Sequence, residues 1–112
     1  MESRYLEFVY LPMFESTAKG LLDEEDRRVL ELELLEDPER GTVQGGTGGV
    51  RKVRFALGNR GKSGGARVVY LYVEIREKIY FVLVFPKNVQ VNLTGEQKKR
   101  IRDLVATLKE ES

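Results

Sequence analysis

The sequence contains neither cysteine nor histidine. The lack of cysteine excludes a disulfide framework and a thiolate zinc site. The lack of histidine removes the commonest metal ligand and the side chain best suited to proton transfer near neutral pH. Any acid–base chemistry must therefore use carboxylates, lysine or tyrosine, or depend mainly on electrostatic stabilisation, and we expect no metal and no other cofactor.

Long apolar runs are also missing. No run approaches the ~20 residues that a membrane span requires, and the first ten residues, MESRYLEFVY, lack the basic and then apolar pattern of a signal peptide. A chain of 112 residues with 41% hydrophobic and 33% charged residues is typical of one globular domain. We expect a single domain over residues 1–112, located in the cytoplasm.

The small net charge of +1 conceals a strong segregation of charge along the chain. Residues 1–39 hold 12 acidic and 4 basic side chains, whereas residues 40–73 hold 7 basic side chains and no acidic one. This asymmetry indicates either a surface that binds a polyanion or a solvated basic hairpin beside an acidic helix.

The pattern of residues predicts an α+β fold. A first strand is expected over Arg4–Tyr10, a short helix over Pro12–Lys19, and a second helix that is capped by Asp23 and ends before Pro38. The apolar residues of this second helix cover more than one side of it. Such a helix is either packed fully inside its own domain or contacts the sheet on one side and a partner chain on the other.

Three strands then follow in quick succession, over residues 50–56, 66–73 and 78–85. Thr94 and Gln97 form a capping box at the start of a final helix, whose apolar face includes Ile101, Leu104 and Leu108. The predicted fold is a four-stranded antiparallel sheet with a mixed edge, on which two N-terminal helices and a C-terminal helix pack.

Nine of the eleven glycines fall between residues 41 and 65, in two clusters that flank the strand 50–56. Gly61-Lys62-Ser63 resembles the end of a nucleotide-binding P-loop, but a P-loop continues into a helix. Here a β-branched and aromatic segment, residues 67–73, follows and predicts a strand. The segment is therefore interpreted as a hairpin loop that carries basic side chains.

Basic residues gather on and around this hairpin. Lys52 and Arg54 are two residues apart and share one face of their strand, opposite the apolar Val53 and Phe55. If Val53 and Phe55 face the helices, Lys52 and Arg54 lie on the open side of the sheet, near Arg67. Such a cluster without acidic neighbours lowers a lysine pKa and attracts an anion, although it also keeps an open face solvated.

Four segments together resemble the HigB-like branch of the RelE/ParE toxin superfamily. They are GGTGGVRKVRF from Gly45, RGKSGGARVVY from Arg60, FPKN from Phe85, and NLT from Asn92 with the basic helix after it. The segments match in order and spacing, and the resemblance covers nearly the whole chain.

The resemblance implies a RelE-like fold and the toxin of a type II toxin–antitoxin pair. Proteins of this branch bind the ribosomal A site and cut mRNA there, with the ribose 2′-hydroxyl as nucleophile on the adjacent phosphate. It also implies a cognate antitoxin, often with a helix-turn-helix part, that neutralises the toxin.

The family's basic residues carry over by position, as catalytic Lys52, Arg54, Arg67 and Lys87. Lys52 is the expected base, and Arg54 and Arg67 are the expected phosphate binders. RNA or ribosome contacts are expected from Arg51, Arg60, Lys62, Asn88, Lys98 and Lys99.

The sequence departs from some relatives, which use a histidine or a C-terminal tyrosine, or an acidic residue where Val89 stands. Two other functions therefore stay open, a ParE-like toxin that binds DNA gyrase and an inactive relative that only binds RNA or an antitoxin. Tyr70 and Tyr72 are open to two interpretations as well, core packing or base stacking.

Overall fold

A computed structural model describes residues 5–58 and 65–111. The elements in chain order are β1 (Glu7–Tyr10), α1 (Pro12–Ala18), α2 (Glu24–Glu36), β2 (Thr42–Val43), β3 (Arg51–Phe55), β4 (Ala66–Val73), a 3-10 turn (Glu74–Arg76), β5 (Lys78–Pro86) and α3 (Gly95–Glu110). Each helix in this part of the chain is too short or too polar to cross a bilayer.

The strands form one five-stranded sheet in the order β1-β5-β4-β3-β2. β1 runs parallel to β5, and the other neighbours are antiparallel. The predicted α+β class and mixed edge are confirmed, but the predicted count of four strands is wrong. β2 adds the fifth strand through only two residues, Thr42 and Val43, and two residues carry no detectable alternation of apolar and polar side chains.

Both predicted helix caps, Asp23 and Thr94, are confirmed in detail. The Asp23 carboxylate accepts the Asp26 backbone N–H at 2.8 Å, and the Asp26 carboxylate accepts the Asp23 N–H at 3.1 Å. At α3, the Thr94 hydroxyl accepts the Gln97 N–H at 3.1 Å, and the Gln97 amide oxygen accepts the Thr94 N–H at 2.9 Å. These reciprocal bonds satisfy donors that a helix leaves free at its first turn.

The helices cover both faces of the sheet. Alternate residues of β4, Val68 and Tyr70, belong to one core with Leu30 and Leu34 of α2. The residues between them, such as Val69, belong to a second core with α3. Because side chains of a strand alternate between faces, α1 and α2 lie on one side of the sheet and α3 on the other.

This arrangement corrects the expectation of an open sheet face around Lys52 and Arg54. α3 covers that face over Val69 and Leu71, which are buried, and Ile101 and Val105 of α3 belong to the same core. The end of the face that carries Lys52 and Arg54 stays accessible: Lys52 is half-buried and Arg54 is exposed.

The first glycine cluster lets a loop approach α3 closely. Gly48 has a φ of +84°, in the left-handed region that glycine favours, and a Cβ at this position would lie 3.0 Å from a methyl group of Val105. The loop is fixed by Thr47, whose buried hydroxyl donates to the Gln44 carbonyl at 2.6 Å and accepts the Val50 N–H at 3.2 Å.

Candidate nucleic-acid interface

The strand pair β3–β4 positions the predicted cations. Arg54 lies directly opposite Arg67, and Lys52 lies opposite Val69. Val53 and Phe55 are 8% and 3% exposed in the core beneath α2. Alternation along the strand therefore places Lys52, Arg54 and Arg67 together on the other face.

Two adjoining clefts open around these cations. The first, of about 430 Å³, is lined by Arg40, Thr42, Lys52, Val53, Arg54, Arg67 and Val91. The second, of about 350 Å³, is lined by Arg54, Phe55, Ala56, Gly65, Arg67 and Lys87. Because both clefts share Arg54 and Arg67, they form one surface, which we call the basic groove and define by its cations Arg40, Lys52, Arg54, Arg67 and Lys87.

The charge of the basic groove is poorly balanced by acids. Within residues 5–58 and 65–111, no carboxylate forms an ion pair with Lys52, Arg54, Arg67 or Lys87. Among the described residues, Arg40 is the groove cation with an acidic partner, Glu33 at 3.4 Å. Clustered cations of this kind create a positive potential that attracts a polyanion.

Lys52 is held at the wall of the groove by two neutral oxygens. Its Nζ donates to the Val91 carbonyl and to the Asn92 side-chain oxygen, both at 2.9 Å. Partial burial lowers the pKa of Lys52 below its usual value, and the charges of Arg67 and Lys98 lower this pKa further. A lysine with a lowered pKa is a better base near neutral pH than an ordinary one.

Lys87 reaches the groove because the end of β5 is tied to the start of β4. The Lys87 backbone N–H donates to the Gly65 carbonyl at 2.9 Å, and its exposed side chain lines the second cleft. Gly65 must be glycine in this backbone, since an added Cβ would lie 2.8 Å from the Phe55 carbonyl oxygen. Asn88 follows in an exposed turn and lines neither cleft.

Arg51, predicted as an RNA contact, does not enter the basic groove. Its guanidinium donates to the carbonyls of Glu39 and Gly41, at 3.0 and 2.8 Å, and lies 3.7 Å from the Glu39 carboxylate. These bonds fasten the segment before β2 to β3. Arg51 therefore has a structural role in the described residues, on the face of β3 opposite Lys52.

The remaining predicted contacts are peripheral or outside the described residues. Lys98 is half-buried at the start of α3 and close enough to Lys52 to influence its pKa, whereas Lys99 is exposed on the same helix. Neither side chain lines the two clefts. Arg60 and Lys62 lie outside the described residues.

Tyr70 belongs to the core and is not available for base stacking. It is fully buried, and its hydroxyl donates to the Pro38 carbonyl at 2.7 Å while accepting the Gly41 N–H at 3.0 Å. Burial raises the pKa of Tyr70 above its usual value. Tyr72 is half-buried against the core beneath α2. Of the two interpretations given above, core packing therefore applies to both tyrosines.

Sequence reasoning missed Arg40, Thr42, Val91 and Asn92. Arg40 carried a usable signal, since it opens the acid-free segment 40–73. Thr42, Val91 and Asn92 contact Lys52 or line the first cleft only because the fold brings them there, and no local sequence pattern predicts such long-range contacts. No group of three acidic side chains among the described residues is arranged to hold a metal ion.

The α+β fold and the cationic groove beside its β-hairpin place the chain in the class of small proteins suited to bind a nucleic-acid backbone. The sequence matches the family described as the RelE toxin of the RelE/RelB toxin–antitoxin system over residues 18–112. The chain therefore belongs to the RelE toxin family. Among solved structures, a mutant of the Escherichia coli toxin RelE in the free state is similar, with 19% sequence identity and a TM-score of 0.49; the match covers 70% of this chain and 80% of that one.

Proposed function

We propose that this toxin is a ribosome-dependent mRNA endonuclease of the HigB-like branch, acting in the cytoplasm as a single domain of residues 1–112. The observation that supports the proposal is the convergence of Lys52, Arg54, Arg67 and Lys87 on two adjoining clefts, without a carboxylate partner in the described residues. A gyrase-binding toxin has no need of this set.

The proposed reaction is a transesterification within the mRNA. The Lys52 amine takes the proton from a ribose 2′-hydroxyl, and the 2′-oxygen forms a bond to the adjacent phosphorus. The bond from phosphorus to the 5′-oxygen of the next nucleotide breaks, and that oxygen takes a proton from water. The products are a 2′,3′-cyclic phosphate and a 5′-hydroxyl.

The other cations of the groove stabilise the charge that develops on phosphorus. Arg54 and Arg67 present two guanidinium groups from neighbouring strands, and each can donate two hydrogen bonds to phosphate oxygens. Preorganised donors at a developing oxyanion contribute about 3–4 kcal/mol each to catalysis. Lys87 serves the same phosphate or the next one from the far end of the groove.

The surroundings of the groove are proposed to contact the ribosome. At or beyond the margin of the groove lie the described residues Asn88, Lys98 and Lys99. Further contacts are proposed for Arg60 and Lys62, which lie outside the described residues. A cognate antitoxin, of the helix-turn-helix type, is the proposed neutralising partner. These contacts explain why cleavage is expected on the ribosome, where the mRNA is held in a fixed conformation.

The test is primer extension on a defined mRNA, with and without translating ribosomes. We compare the wild type with the double variant Lys52→Ala/Arg67→Ala and with the control Lys19→Ala/Arg28→Ala, which removes the same two residue types from exposed positions on the acidic side of the chain. Cuts are expected only with ribosomes, from the wild type and the control, and not from the groove variant.

Two results would contradict the proposal. If the wild type makes no cuts on ribosomes, the endonuclease function is wrong, and a supercoiling assay with gyrase becomes the next measurement. If the groove variant cuts as fast as the wild type, the chemistry takes place away from the basic groove.

A further inference from the structure

The loop between β5 and α3, residues 87–94, holds the Lys52 amine from outside the sheet. Nζ of Lys52 donates to the Val91 carbonyl and to the Asn92 side-chain oxygen, each at 2.9 Å. These partners lie about 40 residues further along the chain. A flexible lysine side chain gains a defined position only when such partners fix its end.

The loop is itself fixed on both sides of Asn92. The Gln90 amide donates to the Asn92 carbonyl at 2.8 Å and to the Gln97 amide oxygen at 2.9 Å. The Gln97 oxygen also belongs to the capping box of α3, and Leu93 is buried in the core beneath that helix. The start of α3 thus fixes the backbone at Asn92, from which the side chain reaches Lys52.

A neutral amine has two N–H groups and one lone pair. If Val91 and Asn92 accept the two N–H groups of Lys52, the lone pair occupies the remaining direction, and Lys52 lines the first cleft. We propose that Asn92 is a positioning residue, which fixes the Lys52 amine with its lone pair toward the basic groove. This inference rests on the proposed function, in which Lys52 is the base.

The amide of asparagine suits this position because it is neutral. Among the described residues, the charged groups that line the first cleft with Lys52 or lower its pKa are Arg54 on its own strand, Arg67 on β4, Lys98 on α3 and Arg40. All of them are cations, and Arg67 and Lys98 disfavour the protonated amine. A carboxylate at residue 92 would have the same reach and would favour the protonated amine instead.

The first experiment is a titration of the Lys52 side chain by NMR in the free toxin, with isotope-labelled lysine and assignment by Lys52→Arg. Asn92→Asp is expected to raise the pKa of Lys52 by about one unit, whereas Ser16→Asp adds the same charge at an exposed site on α1 and should leave it unchanged. If Asn92→Asp leaves the pKa of Lys52 unchanged, Asn92 does not hold the amine and the inference is wrong.

The second experiment follows single-turnover cleavage on ribosomes as a function of pH. Asn92→Asp is expected to move the rising limb of the rate to higher pH by the amount seen in the titration. Asn92→Ala keeps the loop neutral but removes the acceptor, and is expected to lower the maximal rate about 10-fold, which is part of the roughly 10²–10⁴-fold that a positioned general base contributes.

The outcomes separate the two proposals. An equal loss of rate at every pH, with the limb unmoved in Asn92→Asp, would show a merely structural role and overturn the inference. Absence of cleavage by the wild type would overturn the proposed function and the catalytic purpose of the contact, while the titration would still decide whether Asn92 holds Lys52.

Discussion

Arg54 and Arg67 lie directly opposite each other on β3 and β4. Like charges in this arrangement destabilise an antiparallel pair, and no carboxylate in the described part of the chain forms an ion pair with either guanidinium. The sheet therefore contains a repulsion that an anion bound in the groove would relieve. The sheet is thus less stable than it could be at the place where the proposed phosphate site lies.

Replacing Arg54 by threonine should make the protein more stable and less active. The change removes the repulsion and introduces a β-branched residue, so the free energy of unfolding should rise by about 0.5 kcal/mol. Cleavage on ribosomes should fall about 100-fold or more, since a donor to the phosphate is lost. Urea denaturation and primer extension measure the two effects. Arg54→Lys keeps the charge and should show no gain in stability; a loss of stability in Arg54→Thr would refute the repulsion.

Tyr70→Phe should destabilise the protein by about 1–3 kcal/mol, because two buried backbone groups lose their partner. The hydroxyl bonds to the Pro38 carbonyl and the Gly41 N–H, which fixes the segment leading to Arg40 and Thr42 in the first cleft. Urea denaturation provides the measurement. Tyr72→Phe, on the same strand, removes a hydroxyl that bonds to no described residue and should cost less than about 0.5 kcal/mol. Equal effects of the two changes would argue against the role of the Tyr70 hydroxyl.

Lys87→Gln should weaken the salt dependence of RNA binding. Each phosphate contact to a single strand contributes about −0.7 to the slope of log K against log salt concentration. Fluorescence anisotropy with a single-stranded RNA oligonucleotide, at several potassium chloride concentrations, should give a slope smaller by about 0.7 in the variant. Lys19→Gln removes an exposed lysine from the acidic segment 1–39 and should leave the slope as in the wild type. An unchanged slope in Lys87→Gln would remove Lys87 from the groove's phosphate contacts.

Glu15→Gln should reduce stability at neutral pH but not in acid. The hydrogen bond from Arg27, at 2.7 Å, lowers the pKa of Glu15 below its usual value, against an opposing effect of burial. A carboxyl whose pKa is lowered by folding stabilises the protein above its unfolded pKa, and the contribution is lost as the pH falls through the folded value. Glu15 is half exposed, so solvent screening limits the expected difference at pH 7 to about 0.5 kcal/mol.

Urea denaturation of the wild type and Glu15→Gln at pH 7 and at pH 2.5 tests the effect. The difference in free energy of unfolding should be present at pH 7 and close to zero at pH 2.5, where the carboxyl is protonated. A difference of the same size at both values would mean that the packing of residue 15, rather than its charge, stabilises the protein.

The sequence predicted those features that depend on neighbours in the chain. The caps at Asp23 and Thr94 depend on residues three positions apart, and β4 was predicted over 66–73 as observed because its β-branched and aromatic run is continuous. The pairing of Lys52 with Arg54 on one face likewise needs only the alternation of a strand.

The features that escaped prediction depend on distant contacts. β2 exists because Thr42 and Val43 meet β3, and two residues alone show no strand pattern. Arg51 stays a predicted RNA contact, but no local pattern revealed that its guanidinium binds the carbonyls of Glu39 and Gly41, in the segment between α2 and β2. The loop that holds Lys52 has no periodicity, so Asn92 could be recognised only after β5 and α3 had placed it.

The parallel pairing of β1 with β5 limits the order in which the protein can fold during its synthesis. Glu7 pairs with Lys78, so β1 has no partner strand until β5 has been synthesised. The acceptors of Lys52 come later still, at Val91 and Asn92, followed by the helix that fixes them. A nascent toxin thus acquires its cations during elongation, but their final arrangement forms only after α3 has been synthesised.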